Sequence, residues 1–405
     1  MTSIRTLFVS HDGGLAGAQR VLLSTLRGLS HDQVEAHLVV PFDGELQALA
    51  LASGVSVSRR ALRPWAPCIA QLNGGGRLRA LQSFGSGFRA RVWGLAGLIE
   101  RLDIDVVYTN TAIIAEGAFA ANRTGRPHVW HVHEPIFNNP ELLPLLPNWV
   151  YSIGISRLAT AVIMPSHTLS RHYPSLRAKT SVIYNGIDAP PSVNRSDARQ
   201  HLRAHLGLAD TALLVGTVGA IQPRKDYTTL IAAAAQVHAA LPDVRFVVVG
   251  QGSDAQVQRF EAEVDAAGLR GVVIRVSRWS GEIFDFFAGV DIAVVSSIQE
   301  SFGLTVAEAL AVGTPVVSTR CGGPEEVLGP DEPRCLVNIG DSVGLAKAIA
   351  ILCGDAELRN ELGTKGRKRV LEKFSQKEFL RGVFDVMRVA GESRRRRLTG
   401  TAVTT

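Results

Sequence analysis

The stretch Glu300-Ser-Phe-Gly-Leu-Thr-Val-Ala-Glu308 places two carboxylates around a Phe-Gly pair, directly after the apolar run IAVVSS. An ionised carboxylate only accepts hydrogen bonds, and its two oxygens suit a vicinal diol such as a ribose. The amides of Gly303, Leu304, Thr305 and Val306 are expected to open a helix, where they lack intrahelical acceptors. With the positive end of the helix dipole behind them, they suit a phosphate. Glu308 is expected about two turns in, and a continuous helix would separate the two acids by at most ~12 Å. That matches the reach from a ribose across a diphosphate to an attached sugar. A loop acid followed by an exposed helix acid would satisfy the same spacing.

Other groups carry chemistry of related kinds. Arg224 and Lys225 follow LLVGTVGAIQP, where a fork of donors and a point charge together can neutralise a diphosphate. Gly13 and Gly14 follow the first apolar run, where they either let the backbone approach a ligand or serve a tight turn. His131 and His133 alternate on one strand face, but no companion cluster of Cys, His or Asp completes a metal site. His133 therefore reads better as a contact for a sugar hydroxyl, and no metal is expected. Asp103-Ile-Asp105 has the DxD form of metal–nucleotide sites but stands at the entering end of its strand, so it reads as structural. Gly250-x-Gly252-x-x-Ala255 has the form of a dinucleotide loop, yet the next strand ends at Arg275 and Ser277 without an acid for an adenosine ribose.

These groups need elements to hold them. TLFVS, EAHLVVP, IDVVYTN, PHVWHVHE and AVIMPS read as strands of a first half, separated by helical segments such as AQRVLLSTLRGL and AIIAEGAFAANRTG. LLVGTVG, RFVVVG, GVVIRVS, IAVVSS, TPVVST and CLVN repeat the pattern. Near-continuous apolar strands alternating with helices imply parallel sheets covered on both faces, and two such series imply two doubly wound α/β domains. The boundary is expected within VIYNGIDAPPSVNRSD, residues 182–197, from the Asn185-Gly186 turn and Pro190-Pro191. The domains are therefore taken as 1–185 and 186–375. A helix over 376–392 that can return to the first domain follows, then a disordered basic tail over 393–405. Ligands of open parallel sheets bind at the carboxyl ends of the strands, so two such sheets facing each other would leave a cleft between them.

Composition narrows the class. The chain has 405 residues, 46% hydrophobic and 20% charged, as a folded two-domain protein has. Cys68, Cys321, Cys335 and Cys353 are widely spaced, as expected of reduced thiols in a cytoplasm. No leader and no run of about 20 apolar residues is evident, so a cytoplasmic protein is expected. Seven arginines (Arg59, Arg60, Arg63, Arg77, Arg79, Arg89 and Arg91) stand between Glu45 and Glu100 without an acid. They are either a solvated face or a surface for anionic lipid or a phosphate-bearing acceptor. Leu78, Leu81, Phe84, Phe88, Val92, Trp93 and Leu95 among them could enter a headgroup layer at the inner face of the membrane. No recognition motif for nucleic acid accompanies them.

Taken together, GGLAGAQRVL, WHVHE, AVIMPS, VIYNGID, IQPRKDYTTLIAA, VVVGQGSD and ESFGLTVAEALAVGTPVVSTRCGGPEEVL resemble the retaining glycosyltransferases of family 4. The resemblance covers residues 4–390 and implies the GT-B fold, two Rossmann-like domains facing each other across a cleft. It implies transfer of a sugar, a hexose first, from a nucleotide diphosphate such as UDP or GDP to an acceptor hydroxyl, with the anomeric configuration kept and no cofactor or metal. The acceptor implied is a glycan, a lipid-linked sugar or a small molecule. By the same resemblance Glu300 contacts the donor sugar, Glu308 the ribose, and the Phe302–Val306 segment the diphosphate. Lys225 matches the family's lysine. Ala220 stands where the family has an arginine, leaving Arg224 to supply that charge. His133 matches the histidine near the sugar, Gly13 and Gly14 the glycine loop, and Val276 to Arg278 the backbone beneath the base. A sugar-nucleotide epimerase or a phosphorylase on the same scaffold, a non-catalytic relative, and a nicotinamide-dependent oxidoreductase are the alternatives.

Overall fold

The computed structural model describes residues 3–69, 72, 76–188, 190, 193–330 and 333–399. The chain divides into two units, Met1–Gly186 with Lys377–Thr405, and Ile187–Gln376. Ala189, Pro191 and Ser192, in the segment expected to link the domains, lie outside the described residues.

The first unit holds one parallel sheet of seven strands: β1 (Ile4–Val9), β2 (Val34–Val40), β3 (Ser56–Arg59), β4 (Val106–Thr109), β5 (His128–His131), β6 (Ala161–Met164) and β7 (Thr180–Val182). Their order is β3-β2-β1-β4-β5-β6-β7, so the winding reverses between β1 and β4. β4 and β5 are buried along their whole length, because helices cover both faces. Trp65 stacks on Trp130 with ring centroids 6.0 Å apart, and the two anchor an apolar cluster with Leu7, Ile99 and Val107.

The second unit repeats the plan with six strands: β8 (Leu213–Val218), β9 (Val244–Val249), β10 (Val273–Val276), β11 (Ile292–Val295), β12 (Val316–Thr319) and β13 (Leu336–Val337). The order β10-β9-β8-β11-β12-β13 is again parallel and reverses between β8 and β11. Helix starts are fixed locally: Ser253 and Gln256 form a capping box, and Asp226 accepts from the Thr229 amide.

Three readings of the sequence change. β3 and β7 were not expected; both are sheet edges whose residues are only half-buried or exposed, so neither shows an apolar run. Of AIIAEGAFAANRTG, only Glu116–Arg123 is helical. The final helix runs Gln376–Thr399, through residues 393–399 that the sequence assigned to a tail, and residues 400–405 lie outside the described residues. That helix packs on the first unit: Leu380 fills the space over Gly28, Ile183 lies over Gly382, and Val383 and Met387 are buried. No helix among the described residues is long and apolar enough to cross a membrane.

Candidate active site

In a doubly wound sheet, the crevice at the strand carboxyl ends opens where the order reverses. In the second unit that point lies between β8 and β11, and the loops leaving these strands carry the expected charges. β8 runs through Gly219 into the turn Pro223–Lys225, and β11 runs through Ser296 and Ser297 to Glu300. The two loops are stitched together. The Ile298 amide donates to the Arg224 carbonyl (2.9 Å), and the Ser296 hydroxyl donates to the Lys225 carbonyl (2.8 Å).

Within this frame one carboxylate gathers three donors. Lys225 Nζ lies 2.6 Å from Glu300 Oε1, Arg224 Nη1 lies 3.0 Å from Oε2, and Ser297 Oγ donates to Oε1 at 2.8 Å. Burial alone would raise the Glu300 carboxyl, but the charges of Lys225 and Arg224, with hydrogen bonds from Lys225 and Ser297, hold it down at about 2. Its backbone is pinned too, since its amide donates to the Cys321 carbonyl (2.8 Å) and its carbonyl accepts from Gly323 (2.8 Å). Gly323 is required there because a Cβ would lie 2.3 Å from the Phe302 Cα. The turn through Cys321–Gly323 is thus part of the site, and only the Gly-Gly pair signalled it in the sequence.

The helix after Glu300 runs Leu304–Ala311, with Gly303 at its cap in the left-handed region (φ 93°). The Leu304, Thr305 and Val306 amides begin that helix, and the Thr305 hydroxyl ties it to the Val218 carbonyl at the end of β8 (3.1 Å). Phe302 is buried, 5.6 Å from Phe374 between ring centroids. Glu308 is the fifth helical residue, little more than one turn in rather than two, and only 4% exposed. Val276 and Arg278 stand at the carboxyl end of edge strand β10, two strands from β8. The Gly250 and Gly252 of the dinucleotide-like loop serve packing: Cβ atoms there would meet the Gly219 carbonyl at 2.0 Å and Ile221 at 2.9 Å.

In the first unit the reversal lies between β1 and β4, and the loop after neighbouring β5 carries His133. Its Nε2 donates to Asn110 Oδ1 (2.9 Å), and Asn110 Nδ2 donates to the Ala18 carbonyl (2.9 Å). Burial, with His11 nearby, pushes His133 down to about 3, so the ring is neutral and Nδ1 keeps a lone pair. His131 Nδ1 is bonded to the Tyr108 hydroxyl (2.6 Å). Glu134 accepts from Thr111 Oγ1 (2.6 Å) and the Ala112 amide (2.9 Å), and burial lifts its carboxyl to about 7 despite both bonds. Gly13 makes room for another loop: a Cβ would sit 2.3 Å from the Phe42 carbonyl oxygen. The Gly14 amide donates to Asp12 Oδ1 (2.7 Å). Asp103 pairs with Arg5 (2.7 Å) and Arg126 (3.2 Å), and Asp105 accepts the Arg5 amide (3.1 Å), which gives the DxD acids structural work.

The arginine-rich interval divides. Arg91 pairs with buried Glu116 at 2.8 Å and is only 10% exposed, while Val92 and Leu95 belong to the core. These three are corrected from the surface set. Arg59 pairs with Asp43 (2.9 Å). Phe84 and Phe88 pack against the core cluster. Leu78, Leu81 and Trp93 are exposed, as are Arg77, Arg79 and Arg89.

Both units are doubly wound, and each carries polar loops at its reversal point. Residues 198–369 match the family model for glycosyl transferases group 1, and residues 15–189 match that for glycosyltransferase family 4. The chain belongs to this glycosyltransferase family. The lipopolysaccharide core biosynthesis glycosyltransferase LpsE of Rhizobium meliloti is 33% identical over 175 residues, covering 43% of this chain and 49% of that protein. A D-inositol 3-phosphate glycosyltransferase of Salinispora tropica is 31% identical over 242 residues, 57% of this chain and 50% of that protein. The chain thus spans about half the length of these curated relatives. Among solved structures, Anabaena Alr3699/HepE in complex with UDP and glucose superposes with a TM-score of 0.78 at 21% identity, over 95% of this chain and 100% of that one. Sucrose-phosphate synthase from Thermosynechococcus elongatus gives 0.72 at 20% identity, over 98% and 100%. The fold is GT-B.

Proposed function

We propose that this protein is a retaining glycosyltransferase that moves a hexose from a nucleotide diphosphate to an acceptor hydroxyl in glycan or glycolipid biosynthesis. One observation carries the reading: Glu300 held by Lys225 and Arg224 at the β8/β11 reversal, beside the uncapped amides of Leu304–Val306. Cations and amides there meet the charge of a diphosphate, and Glu308 supplies the acceptor atoms for a ribose. Phe302 and Gly303 shape the turn that aims those amides. The base would lie along the end of β10, at Val276 and Arg278. UDP sugars are the first donors to test, because the HepE structure holds UDP.

The reaction breaks the bond from the anomeric carbon to the phosphate oxygen, and the electron pair stays on the diphosphate. The acceptor oxygen forms the new bond on the same face, and its proton passes to the departing phosphate. Lys225 and Arg224 stabilise the leaving charge, with Arg224 supplying the cation that Ala220 lacks, so no divalent ion is required. Neutral His133 offers its Nδ1 lone pair to a hydroxyl, and the Gly13–Gly14 loop leaves β1 at the same reversal point. The acceptor falls to the first unit, whose exposed Arg77, Arg79 and Arg89 with Leu78, Leu81 and Trp93 suit peripheral contact with an anionic membrane. A screen of nucleotide sugars for nucleoside diphosphate release, with lipid-linked and small acceptors, tests the activity. Release from at least one sugar nucleotide that depends on acceptor is expected; interconversion of the donor sugar without release would instead mark an epimerase.

A further inference from the structure

The two cations available for a diphosphate are already occupied within the protein. Lys225 Nζ and Arg224 Nη1 take one oxygen each of Glu300, at 2.6 and 3.0 Å. All three side chains are largely removed from water, at 15%, 23% and 13% exposure. Their attraction is therefore less screened than that of a surface pair. The anion cannot follow a departing partner. Its main chain is fixed on both sides by Cys321 and Gly323, and Ser297 holds Oε1. Lys225 and Arg224 are the long, rotatable members.

We propose that Glu300 is an internal counter-anion: it holds Lys225 and Arg224 until a donor diphosphate draws them away, and it retakes them to expel the nucleoside diphosphate product. The inference rests on the donor site proposed above. Two cations and one anion leave a single net positive charge facing the diphosphate, and the anion also repels it. Removing the anion releases Lys225, leaves Arg224 Nη1 only its bond to the Gln299 carbonyl (2.9 Å) in place of the ion pair, and removes that repulsion, so the product binds more tightly and leaves more slowly. Glu300 thereby trades donor affinity for release, a role separate from any contact with the sugar.

The experiment is calorimetric titration of UDP, of GDP and of uridine into the full chain and into Glu300→Gln, Glu300→Ala and Glu300→Asp. For Glu300→Gln and Glu300→Ala, UDP affinity rises roughly tenfold or more over the parent, as expected for release of a charge-assisted pair. Uridine, lacking phosphates, binds all four proteins alike. Glu300→Asp keeps the charge and stays close to the parent for UDP. UDP binding to the Gln and Ala variants that is equal to the parent's or weaker overturns the counter-anion role while leaving the donor site standing. UDP and GDP both failing to bind any of the four proteins overturns the donor-site reading itself, and the inference with it.

Discussion

At the scale of single residues, the two acids of the Glu300–Glu308 stretch differ in what surrounds them. Glu300 is clamped by cations, whereas Glu308 is buried in the first turns of a helix. Glu308→Ala is expected to weaken nucleoside diphosphate binding about 10- to 150-fold, the value of a charge-assisted hydrogen bond. Glu300→Ala is expected to lower turnover while holding the nucleoside diphosphate more tightly. Titration of the diphosphate alongside steady-state rates separates the two, and equal diphosphate affinity in the parent and Glu308→Ala would remove Glu308 from the ribose. Both acids were legible because they sit in one short string with the helix amides between them. The same is true of adjacent Arg224 and Lys225. The clamp itself was not legible, since it joins residues 75 apart in sequence. Nor was the Arg91–Glu116 pair, 25 positions apart, whose arginine had read as part of a charged face.

At the scale of elements, β5 and its exit carry three histidines in a buried setting. Burial lowers His128 to about 3 and His133 to about 3, and it holds His131 well below the ordinary range; His11, after β1, falls to about 4. All four are depressed below the unfolded value of 6.5, so the unfolded chain binds more protons at any pH between the folded values and 6.5. Stability is therefore full above 6.5 and falls as pH drops, by roughly 1.4 kcal/mol per pH unit for each such group. A lower urea midpoint at about pH 5.5 than at about pH 7 is expected, with a smaller drop in His128→Gln. Equal midpoints for the parent at both values would mean that these rings are not held neutral. The central strands were readable because both faces are covered and the runs are apolar. Edge strands β3 and β7 were hidden because their residues stay partly in water, where no apolar run marks a strand. The glycines at 250 and 252 invited a nucleotide-loop reading from sequence, and only the crossing of two loops reveals their packing role.

At the scale of the whole molecule, the duplicated winding pattern was the most legible feature, because it needs only the alternation of strand and helix. The return of the last helix to the first unit was open from the sequence, and contacts such as Leu380 over Gly28 carry it out. The exposed Arg77, Arg79 and Arg89 with Leu78, Leu81 and Trp93 lead to a further expectation for the intact protein. It should cosediment with anionic vesicles at low salt and be released at high salt, because each cation near the surface contributes about 1 kcal/mol that salt screens. Neutral vesicles should leave it in the supernatant. Equal recovery in the supernatant with both lipids at both salt levels would make these residues a solvated face or a site for a soluble anionic acceptor. What we propose for the intact protein is metal-free transfer with retention at a site organised by Glu300, Lys225 and Arg224. Its most direct test follows the anomeric proton by NMR during turnover of a sugar nucleotide in excess EDTA. A glycoside with the donor's anomeric configuration, formed in step with free nucleoside diphosphate, is expected. An inverted product, or transfer that stops in EDTA and returns with magnesium or manganese, would contradict it.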